Sequence, residues 1–168
     1  MLRTILFFTS LTLSSQASSL QAQTLSLPTS QSPFLSQLVN EAKAAAKADY
    51  EPLQAIENET LQNLSYQQYR AIRFKGEESI WRGLYPYEAQ FFHTGFLYQH
   101  PVNIHLIDYK NRVSNLPFSS QYFNYDSPAE HVGNEIKTDV GFAGFRVHYP
   151  LNTKKYKDEL VAFLGASY

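Results

Sequence analysis

DVGFAGFRVHYPLNTKKYKDELVAFLGASY, residues 139–168, is the stretch on which the fold turns. From Ala143 to Tyr149 it alternates, with Ala143, Phe145, Val147 and Tyr149 on one face of a strand and Gly144, Arg146 and His148 on the other. That is the pattern of a half-buried strand. Pro150 has no N–H for a ladder and is expected to end it, and the polar run Asn152 to Lys157 reads as a solvated loop. Leu160, Val161, Phe163 and Leu164 then form a short apolar group closed by Gly165, a residue that turns easily with positive φ. A partner strand is expected beyond Gly165, yet only Ala166, Ser167 and Tyr168 follow, so the sequence reads as the N-terminal piece of something longer.

Working upstream, the same short-strand grammar recurs. Ala71 to Phe74 reads as a brief strand after a turn capped by Ser65, and Lys75 to Glu78 as a turn. In Ala89 to His93, Phe91 and His93 share one face while Gln90 and Phe92 share the other. Val102 to Asp108 alternates with Val102, Ile104 and Leu106 inward, and these two segments are expected to pair as an antiparallel hairpin with a long loop. Leu116 to Phe118 and Tyr122 to Tyr125 are further short strands, 127–134 is a loop, and Leu53 to Leu64 shows no period. The one helix expected is amphipathic, about Pro33 to Ala48, started by Ser32-Pro33 and ended by Tyr50-Glu51-Pro52. Its narrow, alanine-rich apolar stripe suits packing on the edge of a sandwich better than a membrane surface. The class that follows is mainly β, a sandwich or barrel with one N-terminal helix.

Composition narrows the function classes. A net charge of −1 and a pI near 6.5, with no basic patch, argue against nucleic acid and against an anionic membrane surface. The lack of cysteine removes disulfides, thiolate chemistry and cysteine zinc sites. Met1 to Arg3, the apolar Thr4 to Leu13 and the small, polar Ser14 to Gln23 read as a secretory signal over 1–22, with cleavage after Ala17 or Ala22. The apolar run falls short of the ~20 residues that span a bilayer, and no Arg-Arg pair precedes it, so the general secretory route is expected. Residues 23–32 read as a flexible tether, and 33–168 as the folded part.

Candidate chemistry is sparse. Among the acidic residues, Glu88, beside Tyr85, Tyr87, Phe91 and Phe92, is the best placed for a raised pKa, and more ordinarily it is a solubilising charge at a strand edge. Asp108, Asp126 and the Glu77-Glu78 pair look like turn residues. His93, His100, His105, His131 and His148 show no metal-ligand spacing, and no nucleophile elbow or phosphate loop is present, so neither a metal nor a cofactor is expected. Trp81, Tyr85 and Tyr87, with Arg82 beside them, are the residues best suited to sugar, because flat rings stack on the apolar faces of pyranoses while polar groups bond the hydroxyls; a single tryptophan after Ile80 in a β protein is more often a core residue, so no substrate-binding residue is assigned.

The strings GFAGFRVHYPLN (141–152) and DELVAFLGASY (158–168), preceded in order by YQQYRAIRFKGEESIW (66–81) and FFHTGFLYQHPVNI (91–104), resemble the osmoregulated periplasmic glucan biosynthesis proteins, types G and D. The secretory signal points to type G, since type D resembles a twin-arginine substrate. The resemblance implies a β-sandwich of the sugar-mutarotase type, of which this chain would supply the opening strands, and a periplasmic location. It implies a role in shaping the backbone of β-1,2-linked glucans, by hydrolysis or transfer, or else as a non-catalytic glucan-binding or scaffold module. The partner it implies is β-glucan; whether a glucan synthase or another periplasmic protein also takes part is left open. The carboxylates implied to act on glucan lie beyond the matched region, so no catalytic residue is assigned here, and an isolated product with open strand edges is expected to be marginally stable or inactive.

Overall fold

The computed structural model describes residues 33–165. The signal segment, the tether and the last three residues lie outside them. α1 spans Pro33–Ala45 and α2 Glu59–Gln62, the latter started by Asn58, whose side-chain oxygen accepts from the Leu61 N–H at 3.0 Å. α3, Tyr66–Ala71, begins with a capping box: Ser65 Oγ accepts from the Gln68 N–H while the Gln68 side chain accepts from the Ser65 N–H. The chain then runs β1 Ile72–Phe74, β2 Glu88–His93, β3 His105–Ile107, β4 Val113–Asn115, β5 Phe123–Tyr125, α4 Val132–Glu135, β6 Phe142–Thr153 and β7 Tyr156–Leu164. All pairing is antiparallel, in three sheets: β1 with β5, β3 with β4, and the main sheet β2-β6-β7. The mainly β, sandwich-like class read from the sequence holds, with one long N-terminal helix and three helices of four to six residues.

Several local expectations are corrected. The partner of the 143–149 strand is not beyond Gly165 but is the apolar group itself: β7 pairs with β6 from Gly144↔Leu164 to Thr153↔Tyr156, and Asn152 to Lys157 is its tight turn and flanks. Pro150 does not end β6. It lies in a register irregularity between Tyr149 and Thr153, beyond the last pair with β2, where a missing N–H costs no ladder bond. β2 does not form a hairpin with the 102–108 segment. It pairs with β6, fifty residues on, while β3 pairs with β4 and Val102 touches β6 only through a bridge to Phe142. The strand before residue 118 is Val113–Asn115 and not Leu116–Phe118, and α2 and α4 occupy stretches read as irregular or loop, being too short to show a helical period.

Alternation sorts the main sheet into two faces. One carries Ala89, Phe91, His93, Phe145 and Val147 toward the core, where Phe142, Leu61 and Val132 are fully buried and Phe91 packs on Phe142 at 4.8 Å between ring centroids. α1 buries none of its residues completely; Phe34 rests on the His105 ring at 4.8 Å. Together with Leu35 and Leu38 it roofs an apolar cavity of 390 Å³ floored by Phe91, Phe145 and Val147. The opposite face carries Glu88, Gln90 and Phe92 on β2 beside Arg146 and His148 on β6, and it holds the polar chemistry.

Candidate functional site

The polar face is built around a buried carboxylate. Glu88 begins β2 and is 4% exposed, an environment in which a charge must be paired. Arg82 Nη1 donates to both of its oxygens at 3.1 and 3.3 Å, and Lys157 Nζ reaches Oε2 at 2.8 Å from the start of β7. Arg82 is anchored in turn by a bond to the Gly76 carbonyl at 3.0 Å. Glu88 is therefore not the solubilising edge charge that its sequence context suggests. Two residues along, Gln90 donates to Ser79 Oγ at 3.1 Å and accepts from Arg146 Nη2 at 2.9 Å, and Arg146 reaches Glu159 at 3.5 Å while lying over the Phe92 ring. Burial among these groups pushes the His148 imidazole below its ordinary value; the nearby Arg146 and Lys157 act the same way, while Glu88 and Glu159 act against it.

Removing the charge while keeping the shape tests this arrangement. Glu88→Gln is expected to cost ~2 kcal/mol, the low end for charge-assisted bonds because Arg82 and Lys157 are exposed enough to recover water. Chemical denaturation measures it, and a midpoint within error of the parent would show that the two pairs hold nothing in place.

An aromatic corner stands beside this cluster. The turn 81–84 places Trp81 at φ +68, a left-handed conformation that a bulky side chain rarely adopts and that is held here by Leu84 and Tyr85 N–H groups donating to the Trp81 carbonyl at 3.0 and 3.1 Å. Its ring meets Tyr87 edge-on at 5.5 Å and 83°, while Tyr85 stacks on Tyr87 at 5.4 Å and 7°. All three rings remain open to solvent, Trp81 at 38%. The residues singled out for sugar thus come together as a wall and a floor, with Arg82 turned away to hold Glu88. What the sequence did not reveal is Lys157, Gln90 and Arg146, which join the site by pairings 13 to 69 residues apart.

The other candidates fall elsewhere. Asp108 closes the β3–β4 turn, its carboxyl held below the usual range first by the Arg112 backbone N–H. Asp126 pairs with Arg73 on the surface, and Glu77 and Glu78 form a single 3₁₀ turn. His93 is a core residue, His105 abuts Phe34 with a buried Nδ1 that lacks a hydrogen bond, and His100 and His131 are exposed. Among the described residues no three His, Asp or Glu side chains gather where they could hold a metal, and no helix is long and apolar enough to cross a membrane.

Comparison with known proteins adds a family likeness. Residues 34–168 match the family model described as periplasmic glucan biosynthesis protein, MdoG. A glucans biosynthesis protein G from Ralstonia nicotianae is 42% identical over 125 residues, covering 74% of this chain and 24% of its own length. One from Bradyrhizobium diazoefficiens is 44% identical over 111 residues (66% and 21%), and one from Vibrio cholerae 40% identical over 134 residues (78% and 24%). The chain spans about a quarter of the length of these relatives.

Proposed function

The chain belongs to the periplasmic glucan biosynthesis family MdoG, and from that premise we propose that it acts in the periplasm by binding glucan at the aromatic corner of Trp81, Tyr85 and Tyr87. The observation that carries this is the geometry of the rings. Two stacked tyrosines and a perpendicular tryptophan, exposed side by side, present two flat apolar surfaces at a right angle, to which a pyranose can offer its apolar face while its hydroxyls reach the neighbouring polar groups. A strained backbone at Trp81 fits the same reading, since unfavourable φ values persist where the surroundings fix a side chain for use.

Binding is favoured over cleavage for these residues. Hydrolysis of a glycosidic bond needs one carboxyl group free to donate a proton and a second to act as base or nucleophile. Beside the corner, both oxygens of Glu88 are taken by Arg82 and Lys157, and Glu159 is engaged by Arg146. The backbone-shaping role in the longer family proteins would then use this region to hold the glucan.

Calorimetric titration with a linear β-1,2-glucan oligosaccharide tests the reading. Saturable binding is expected, weakened about tenfold or more by Trp81→Ala or Tyr87→Ala, the loss that one stacked ring supports. Unchanged affinity in both variants, with folding intact, would place the sugar elsewhere.

A further inference from the structure

The cavity under α1 is roofed but not filled. Its 390 Å³ lie between the helix and the core face of the main sheet, a void far larger than the gaps a close-packed interior leaves. Small-molecule pockets begin at roughly 300 Å³. α1 closes the cavity with Phe34, Leu35 and Leu38, yet no residue of the helix is buried, and Leu35 and Leu38 stay 47% and 39% exposed. The apolar stripe of the helix is thus only half used by the fold.

The lining decides what can enter. Phe34, Trp81, Phe91 and Phe145 supply aromatic walls, with Ile104 and Val147 among the aliphatic ones. No lysine, arginine, aspartate or glutamate lines the cavity, so an ion placed there would go unpaired, a cost that a neutral molecule does not meet. Two polar side chains interrupt the apolar wall, Asn103 and His105. Asn103 is exposed and can turn to water. His105 Nδ1 is withdrawn from solvent and makes no hydrogen bond, a state whose cost a suitable partner would remove. Phe34 covers that imidazole, ring on ring at 4.8 Å, from the first turn of α1, where it is itself only half-buried. A body sliding under the helix can lift Phe34 and reach the nitrogen.

We propose that this cavity is a binding site for a small neutral amphiphile, an apolar body carrying one hydroxyl group, of the alkylphenol type. The body packs between the apolar stripe of α1 and Phe91, Phe145 and Val147, and the hydroxyl pairs with His105 Nδ1. A hydroxyl serves either tautomer, donating to a bare Nδ1 or accepting from a protonated one. Trp81 borders both this site and the aromatic corner, but Tyr85 and Tyr87 do not line the cavity, so its occupancy does not require glucan at the corner.

Trp81 is the single tryptophan of the chain, so its fluorescence reports occupancy of the cavity. The chain is titrated with para-butylphenol and with para-butyltoluene, in which a methyl group replaces the hydroxyl, with calorimetry alongside. Both are expected to saturate and to shift the Trp81 emission, the phenol binding about tenfold tighter, one hydrogen bond's worth. His105→Phe keeps a flat ring and removes the partner; the ratio of the two affinities should fall to near one while the toluene still binds. Val147→Phe fills the floor of the cavity and should melt no lower than the parent, yet weaken both probes severalfold. Absence of saturation with either probe in the parent chain overturns the proposal. Equal affinities in the parent, or a phenol advantage that survives in His105→Phe, overturn the role of His105 and with it the class of ligand. Undiminished binding in Val147→Phe, with folding intact, would put the probes outside the cavity and overturn it as well. None of these results touches the glucan-binding reading, which the oligosaccharide titration tests by itself.

Discussion

Gly144→Ala is expected to unfold the β6–β7 hairpin and to destabilise the chain by ~4 kcal/mol or more, as two costs of ~1–3 kcal/mol each fall on one residue. The first is conformational: Gly144 has φ +150, which an L side chain rarely adopts. The second is steric and larger. A Cβ at this position would lie 2.0 Å from the Phe163 carbonyl oxygen and 2.9 Å from its carbon, both backbone atoms of the paired strand that no rotamer can move aside. The ladder itself would have to open. Since the hairpin brings Lys157 to Glu88, the site should be lost with it. Gly83→Ala separates the two costs, for Gly83 also has positive φ, +74, yet a Cβ there meets nothing within 4 Å; it should cost only ~1 kcal/mol. A thermal melt of the two variants decides the matter: Gly144→Ala melting no lower than Gly83→Ala would mean that β6 and β7 are not held in this register.

The same hairpin shows what the sequence made legible and what it hid. Alternation over 143–149 was enough to assign faces, because the side-chain period of a strand is local, and Phe145 and Val147 do turn inward while Arg146 and His148 turn out. Partners are not local. Nothing in Glu88 to His93 says that it will choose residues 142–148 over 102–108, since both offer the same apolar alternation and only the assembled core distinguishes them. Pro150 departs from the simple rule for a related reason: the rule against proline holds for a residue whose N–H is needed by a neighbour, and among the described residues Pro150 has no paired partner on β2 or β7. At the site, the aromatic corner was readable because Trp81, Tyr85 and Tyr87 lie within seven residues. The pairing of Glu88 is not legible there, because Lys157, one of its two cations, arrives from 69 residues away.

Acid should weaken the fold by ~3 kcal/mol between about pH 6.5 and pH 4, through one buried imidazole. His93 is 2% exposed and ringed by Phe118, Phe123 and Tyr125, with centroids 4.9 to 5.7 Å away. Its Nδ1 lies 2.5 Å from the Thr94 carbonyl, which can only accept, so Nδ1 carries the hydrogen and Nε2 accepts from the Tyr125 hydroxyl at 3.1 Å. A second proton on Nε2 would face a hydroxyl now forced to accept, on a ring almost wholly withdrawn from solvent. Burial accordingly pushes the imidazole from 6.5 down to about 4, against the small upward pull of the Thr94 carbonyl. Between those values the unfolded chain takes up a proton that the folded one refuses, so stability is complete above about pH 6.5, falls as the pH drops and levels off below about 4. Each pH unit of that gap is worth ~1.4 kcal/mol. His148 is also held below its ordinary value, and His93→Gln isolates the contribution of His93: an amide can donate to the Thr94 carbonyl and accept from Tyr125 but has no proton to gain. Denaturation midpoints at pH 7, 5.5 and 4.5 should converge between parent and variant as the pH falls, the parent losing more. Parallel curves across that range would show that His93 is protonated in the folded chain and that the aromatic box around it is open to water.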